Sequence, residues 1–245
     1  MTKPNFQQLL QSFSSFLKQL FIARWRPLLA LFVGVCLPLL IFEELAVEIW
    51  KNEGAFPWDV SILLAIHETT QAQLDAFALF LTQFGGFHGV FLISTVLSLV
   101  LLVRRRWRSL AYLLTTLVGT AIINRTAKSL MHRIRPHLWE SSYPPAHDYA
   151  FPSGHAMSSM ALIAVLVILT WGSRWCWFVG IFGSFFVLGI AWTRLYLGVH
   201  FPSDILAGWL VSVAWAVGVS LLIKPHLTKA NPLSDQTISD SSFSS

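Results

Sequence analysis

The chain has 245 residues, 55% of them hydrophobic and only 12% charged, with a formal net charge of +5. A soluble domain carries roughly twice that charged fraction, and here the apolar residues come in long blocks, so an integral membrane protein is expected. The positive charge forms no basic stripe with interleaved aromatics, which argues against a nucleic-acid partner, and the two cysteines, Cys36 and Cys176, give neither a disulfide framework nor a metal motif and read as small buried hydrophobes.

The amino-terminal stretch sets Phe6, Leu10, Phe13, Leu17 and Phe21 at helical spacing. It predicts an amphipathic helix lying on the membrane surface, within a cytoplasmic segment 1–26. It lacks the charged, apolar, small-residue order of a cleavable signal peptide. A membrane domain, 27–224, follows. Its first span is expected at 27–50. Residues 55–86 predict two short amphipathic helices, a candidate lid over the site, and "GGFHG" at 85–89 breaks them from the next run. Further spans are expected at 88–103, 109–131, 154–171, 175–192 and 201–223, near the ~20 residues that cross a ~30 Å hydrocarbon layer. The Ser-rich segment 225–245 reads as a disordered cytoplasmic tail. The fold class is therefore all-α, with six transmembrane helices.

Positive charge gives the orientation. With the amino terminus inside and six alternating spans, eleven Lys and Arg residues fall on the cytoplasmic side and six on the other. Both termini are then cytoplasmic. Most of the outward cations crowd the end of span three, the loop after it and the end of span five.

Three segments meet at that outer level: "KSLMHRIRP" at 128–136, "PSGH" at 152–155 and "TRLYLGVHFPSD" at 193–204. Ser153 and Gly154 open an apolar helix, whose first N–H groups and partial positive charge suit an anion. Lys128, Arg135 and Arg194 add cations, and an arginine can hold two phosphate oxygens at once. His200 and Asp204 stand four apart, so the carboxylate can hold one imidazole nitrogen and leave the other to attack. His155, within a turn of its helix start, can protonate a leaving oxygen. Such a set performs phosphoryl transfer without a metal or other cofactor. The remaining histidines (His67, His88, His132, His137, His147 and His226) read as solvated or interfacial, and Arg125 and Arg133 as membrane-boundary anchors.

The pattern resembles the type 2 phosphatidic acid phosphatase superfamily, whose signature is Lys-x6-Arg-Pro, Pro-Ser-Gly-His and Ser-Arg-x5-His-x3-Asp. Lys128, Arg135 and Pro136 match the first part, residues 152–155 the second, and Arg194, His200 and Asp204 the third, with Thr193 in place of the usual serine. The resemblance implies that His200 is the nucleophile forming a phosphohistidine, Asp204 its orienting partner and His155 the general acid. Lys128, Arg135, Ser153, Gly154 and Arg194 would hold the phosphoryl oxygens, with no metal. It also implies a lipid phosphate or pyrophosphate substrate: undecaprenyl pyrophosphate, phosphatidylglycerol phosphate or phosphatidic acid. The expected place is a bacterial inner membrane with the site on the extracytoplasmic face. A transporter would carry its polar groups near mid-membrane, not at helix ends. A lipid-binding member without catalysis would not need His155, His200 and Asp204 together.

Overall fold

Long apolar runs punctuated by Pro and Gly leave helices as the way to satisfy the backbone, and every regular element among the described residues is helical. The computed structural model describes residues 6–52, 54–139, 143 and 148–226. The expected disordered tail lies almost wholly outside them.

Helix α1 (Phe6–Leu31) bends at Arg24, three residues before Pro27. It continues through a π-helical step, Phe32–Cys36, into α2 (Leu37–Asn52). Two short helices, α3 (Pro57–His67) and α4 (Ala72–Gly85), occupy the region expected to hold them. The chain then bends by 45° at Gly86 into α5 (Phe87–Val103). Helices α6 (Trp107–Met131), α7 (Gly154–Leu169), α8 (Trp175–Tyr196) and α9 (Pro202–Ile223) complete the bundle.

Helix α7 is central, packed on α6, α8 and α9, while α2 covers α9 and α4 covers α8. Small residues bring these helices close. A Cβ at Gly183 would stand 2.5 Å from Ile163, and one at Gly85 would stand 2.5 Å from Ile190. Polar groups within the bundle pair locally: Tyr112 Oη donates to the Ala216 carbonyl, Trp215 Nε1 to Thr116 and Ser212 Oγ to Met157, each at 3.1 Å. Large apolar side chains such as Phe87, Phe182, Phe185 and Leu222 face outward, as a lipid-facing surface requires. Cys36 is also exposed there, against the expectation that both cysteines are buried.

Among the described residues, three helices are long and apolar enough to cross a membrane: Ile22–Lys51, α8 and α9. The bent pair α4–α5 would make a fourth. The expected third and fourth spans fall short for different reasons. Helix α6 has 25 residues, but Thr115, Thr116, Thr120, Asn124, Arg125 and Lys128 dilute its apolar character. Helix α7 has only 16 residues and is enclosed by its neighbours.

Candidate active site

Four helix ends and the turns beside them supply the polar groups. Lys128 lies in the last turn of α6. After Met131 the chain turns through His132 in the left-handed conformation, φ 49° and ψ 23°. That turn sends Arg133 and Arg135 back into the protein by different routes. Arg135 reaches the α8–α9 turn, where Nη1 donates to the Val199 carbonyl at 2.7 Å and lies 3.1 Å from His200 Nε2.

The same turn depends on Gly198. Its φ is +67°, and a Cβ there would meet the Trp139 ring at 2.7 Å, so a side chain is excluded by conformation and by space. Beyond it, α9 starts with Phe201 as N-cap, Pro202 at the first helical position and Asp204 at the third. Asp204 Oδ2 accepts the Phe201 N–H at 2.8 Å and stands 3.4 Å from His200 Nδ1. The expected orienting contact is therefore present as a close approach. It is too long for a good hydrogen bond, and Nδ1 has no hydrogen-bond partner.

Helix α7 begins as its sequence predicts, with Ser153 at the N-cap. The Ser153 N–H donates to the Asp204 carbonyl at 3.1 Å, which joins the starts of α7 and α9. Its Oγ is buried and without a partner. His155 lies one residue inside the helix and is subject to the charges of Arg194, His200, Arg135 and Lys128, so the two imidazoles share one electrostatic environment. A Cβ on Gly86 would approach His155 Nε2 to 3.0 Å, so the bend between α4 and α5 gives this ring its room. Arg194, 2% exposed, donates from Nη1 to Thr82 Oγ1 of α4 at 2.8 Å and stacks over Tyr143 at 4.4 Å.

The cations already hold an anion. Asp148 sets Oδ2 2.8 Å from Lys128 Nζ and Oδ1 2.5 Å from Arg135 Nη2. Lys128 also donates to the Tyr149 carbonyl, and Arg135 Nε to that of Asp148. Each carboxylate oxygen is held by a different cation. Burial raises the Asp148 carboxyl, but Lys128 and Arg135 outweigh it and hold the value at about 2. Burial also pushes the His200 imidazole well below its ordinary value, reinforced by Arg135, Arg194 and Lys128. A neutral His200 keeps a lone pair for attack.

All eight residues expected from the sequence lie at this end of the bundle: His200, His155, Asp204, Lys128, Arg135, Ser153, Gly154 and Arg194. Sequence reasoning missed Asp148, Thr82 and Gly86, which come from a loop, from α4 and from the bend between α4 and α5, all outside the motifs. It also misread Arg133. This residue is no boundary anchor: it is 4% exposed, with Nη1 on Asp204 Oδ1 at 2.5 Å and Nη2 on Asp59 Oδ2 at 2.9 Å. One signal was available for Asp59. "FPWD" at 56–59 repeats the "FPSD" of 201–204, and in both the aspartate caps the phenylalanine N–H.

Residues 109–226 match the PAP2 superfamily, and the eight residues all fall within that stretch. An undecaprenyl-diphosphatase of Sulfolobus acidocaldarius is 27% identical over 194 residues, 78% of this chain and 90% of that protein. Phosphatidylglycerophosphatase B of Bacillus subtilis is 31% identical over 114 residues, 43% of this chain and about half, 53%, of its own length. Among solved structures, the transmembrane PAP2 type phosphatidylglycerolphosphate phosphatase from Bacillus subtilis superposes with a TM-score of 0.71 at 21% identity. The match covers 80% of this chain and 99% of that one, a likeness of fold.

Proposed function

Because the chain carries a PAP2 superfamily domain, we propose that it is a membrane phosphatase that hydrolyses a lipid phosphate or pyrophosphate through a phosphohistidine on His200. The observation that carries this reading is that Lys128 and Arg135 grip the Asp148 carboxylate while Arg135 Nη1 also lies 3.1 Å from His200 Nε2. A phosphoryl group held by Arg135 in place of Asp148 is then bound by the guanidinium that touches the attacking atom.

The reaction divides between the two imidazoles. The Nε2 lone pair of His200 forms a P–N bond as the bond to the lipid oxygen breaks. His155 gives that oxygen its proton. The incoming phosphate brings the negative charge that lets His155 carry a proton among so many cations. Water, deprotonated by His155, then attacks phosphorus, the P–N bond breaks and its electron pair returns to Nε2. Inorganic phosphate leaves. Lys128, Arg135, Arg194 and the α7 N-terminus with Ser153 and Gly154 hold the equatorial oxygens, where charge is spread in the transition state. Asp204 faces the imidazole as it becomes positive.

In this reading six spans place the site at the extracytoplasmic surface of a bacterial inner membrane, with both termini cytoplasmic, as the bias of positive charge favours. Undecaprenyl pyrophosphate leads the candidate substrates, supported by the diphosphatase relative that the chain matches over most of its length. A panel of phosphate-release assays in detergent tests the reading. Undecaprenyl pyrophosphate, phosphatidylglycerol phosphate, phosphatidic acid and a soluble ester are compared. Preferred release from one of the lipids is expected, and no release from any of them would reject it.

A further inference from the structure

We propose that Arg133, gripped between Asp59 and Asp204, is a positioning residue for His200, tying α3 to the reacting end of α9. The inference rests on His200 being the attacking group.

The arrangement is fully enclosed. The Arg133 side chain is 1% exposed, and those of Asp59 and Asp204 are 0%. Nη1 donates to Asp204 Oδ1 at 2.5 Å and to Ser203 Oγ at 2.8 Å. Nη2 donates to Asp59 Oδ2 at 2.9 Å and to the Gly54 carbonyl at 3.1 Å. The guanidinium lies over the Phe201 ring at 4.5 Å. Asp59 in turn accepts from Ser203, from its N–H at 2.9 Å and its Oγ at 2.6 Å. Asp59 joins α3 directly to the first turn of α9 through Ser203, and Arg133, just past α6, links the loop before α3 and α3 itself to the start of α9.

The consequence for His200 follows from how Asp204 is used. Its Oδ2 is fixed by the Phe201 N–H, and its Oδ1 is fixed by Arg133. With both oxygens held, the plane of the carboxylate is set, and Oδ2 is the oxygen turned toward His200 Nδ1. Without Arg133 the carboxylate can rotate about its remaining bond. Charge points the same way. Asp204 Oδ2 is the carboxylate oxygen that faces the ring at Nδ1. When Nε2 bonds to phosphorus, the ring gains one positive charge, and a carboxylate oxygen held in place at Nδ1 faces it. A buried ionic cluster gains little net stability over apolar packing. Its placement against the nucleophile is what the positioning role explains.

The test uses the full-length enzyme in detergent with whichever lipid phosphate it turns over best. Arg133→Gln, Arg133→Lys and Asp59→Asn are compared with His200→Ala, and inorganic phosphate serves as a competitive probe of the oxyanion pocket. For Arg133→Gln and Asp59→Asn, kcat is expected to fall about 10- to 100-fold while KM and the phosphate inhibition constant stay within about threefold. Arg133→Lys should recover part of the loss, because it restores the charge without the two-pronged grip. Asp59→Asn keeps the side-chain shape and gives the same readout if Arg133→Gln does not fold. Wild-type kcat in Asp59→Asn, or a fall in kcat matched by an equal loss of phosphate binding, would overturn the proposal. Wild-type turnover by His200→Ala would instead overturn the reading of the site on which it rests.

Discussion

Arg135 Nη1 lies 3.1 Å from His200 Nε2. A guanidinium can only donate, so Nε2 is the ring nitrogen with the lone pair, and Nδ1 carries the hydrogen that faces Asp204. The tautomer that the proposed attack through Nε2 needs is thus set before substrate arrives. Arg135 must also move its donor from the ring to a phosphoryl oxygen for the attack to begin.

Replacement of His200 by Ala should abolish turnover, with a fall in kcat on the order of 10⁴-fold or more, as for other removed nucleophiles. The variant should remain folded, judged by its elution in detergent and its thermal transition. Phosphate release at the wild-type rate would show that another group attacks.

Asp148→Asn should strengthen phosphate binding. The wild-type carboxylate competes for Lys128 and Arg135, and an amide competes less. The side chain is 57% exposed, so solvent weakens the competition, and a fall of roughly three- to tenfold in the phosphate inhibition constant is expected. An unchanged or raised constant would mean that the substrate does not take the place of Asp148.

The pH dependence follows from two depressed values. His200 is held well below the ordinary imidazole value, so the nucleophile stays neutral where free histidine would be protonated. In plots of kcat/KM against pH, the acid limb that reports it should lie below about pH 6.5. Linkage gives the matching sign for stability. The unfolded imidazole takes up a proton that the folded one refuses, so stability is full above the unfolded value and falls as pH drops below it. Asp148, held at about 2, acts in a lower window: its contribution is present above about pH 4 and lost as pH approaches 2. A nucleophile limb at or above pH 7 would contradict this account.

Activity should persist in EDTA, because Lys128, Arg135 and Arg194 supply the charge that a divalent ion supplies in other phosphoryl-transfer sites. Vanadate, as an anion resembling the transition state, should inhibit. Loss of activity in the chelator with recovery on adding Mg²⁺ would contradict the mechanism.

The eight candidate residues could be picked out because the spacing within each of their three segments is local. Pro152 to His155 announce a helix start, and His200 to Asp204 announce another, so the one-dimensional pattern carries the geometry. Arg133 was not legible for a physical reason. An arginine just past a helix end reads as an anchor, and only the left-handed turn at His132 aims it inward. Its partner Asp59 lies 74 residues away in sequence. Asp148 was hidden for a similar reason, since nothing in a polar loop marks the one carboxylate that folds back onto the cations. The count of spans depends on a property the sequence shows poorly. Helix α7 ends at Leu169, ahead of a turn in which Gly172 takes a φ of +82°, two residues before the end expected for its span.

The most direct test is to trap the covalent intermediate. Enzyme mixed with a lipid phosphate labelled in its phosphoryl group is quenched rapidly at high pH, digested and examined by mass spectrometry. A phosphoryl group on the peptide containing His200, absent from His200→Ala, is the predicted result. Label on another residue, or single-turnover phosphate release with no phosphorylated peptide at any time, would contradict it.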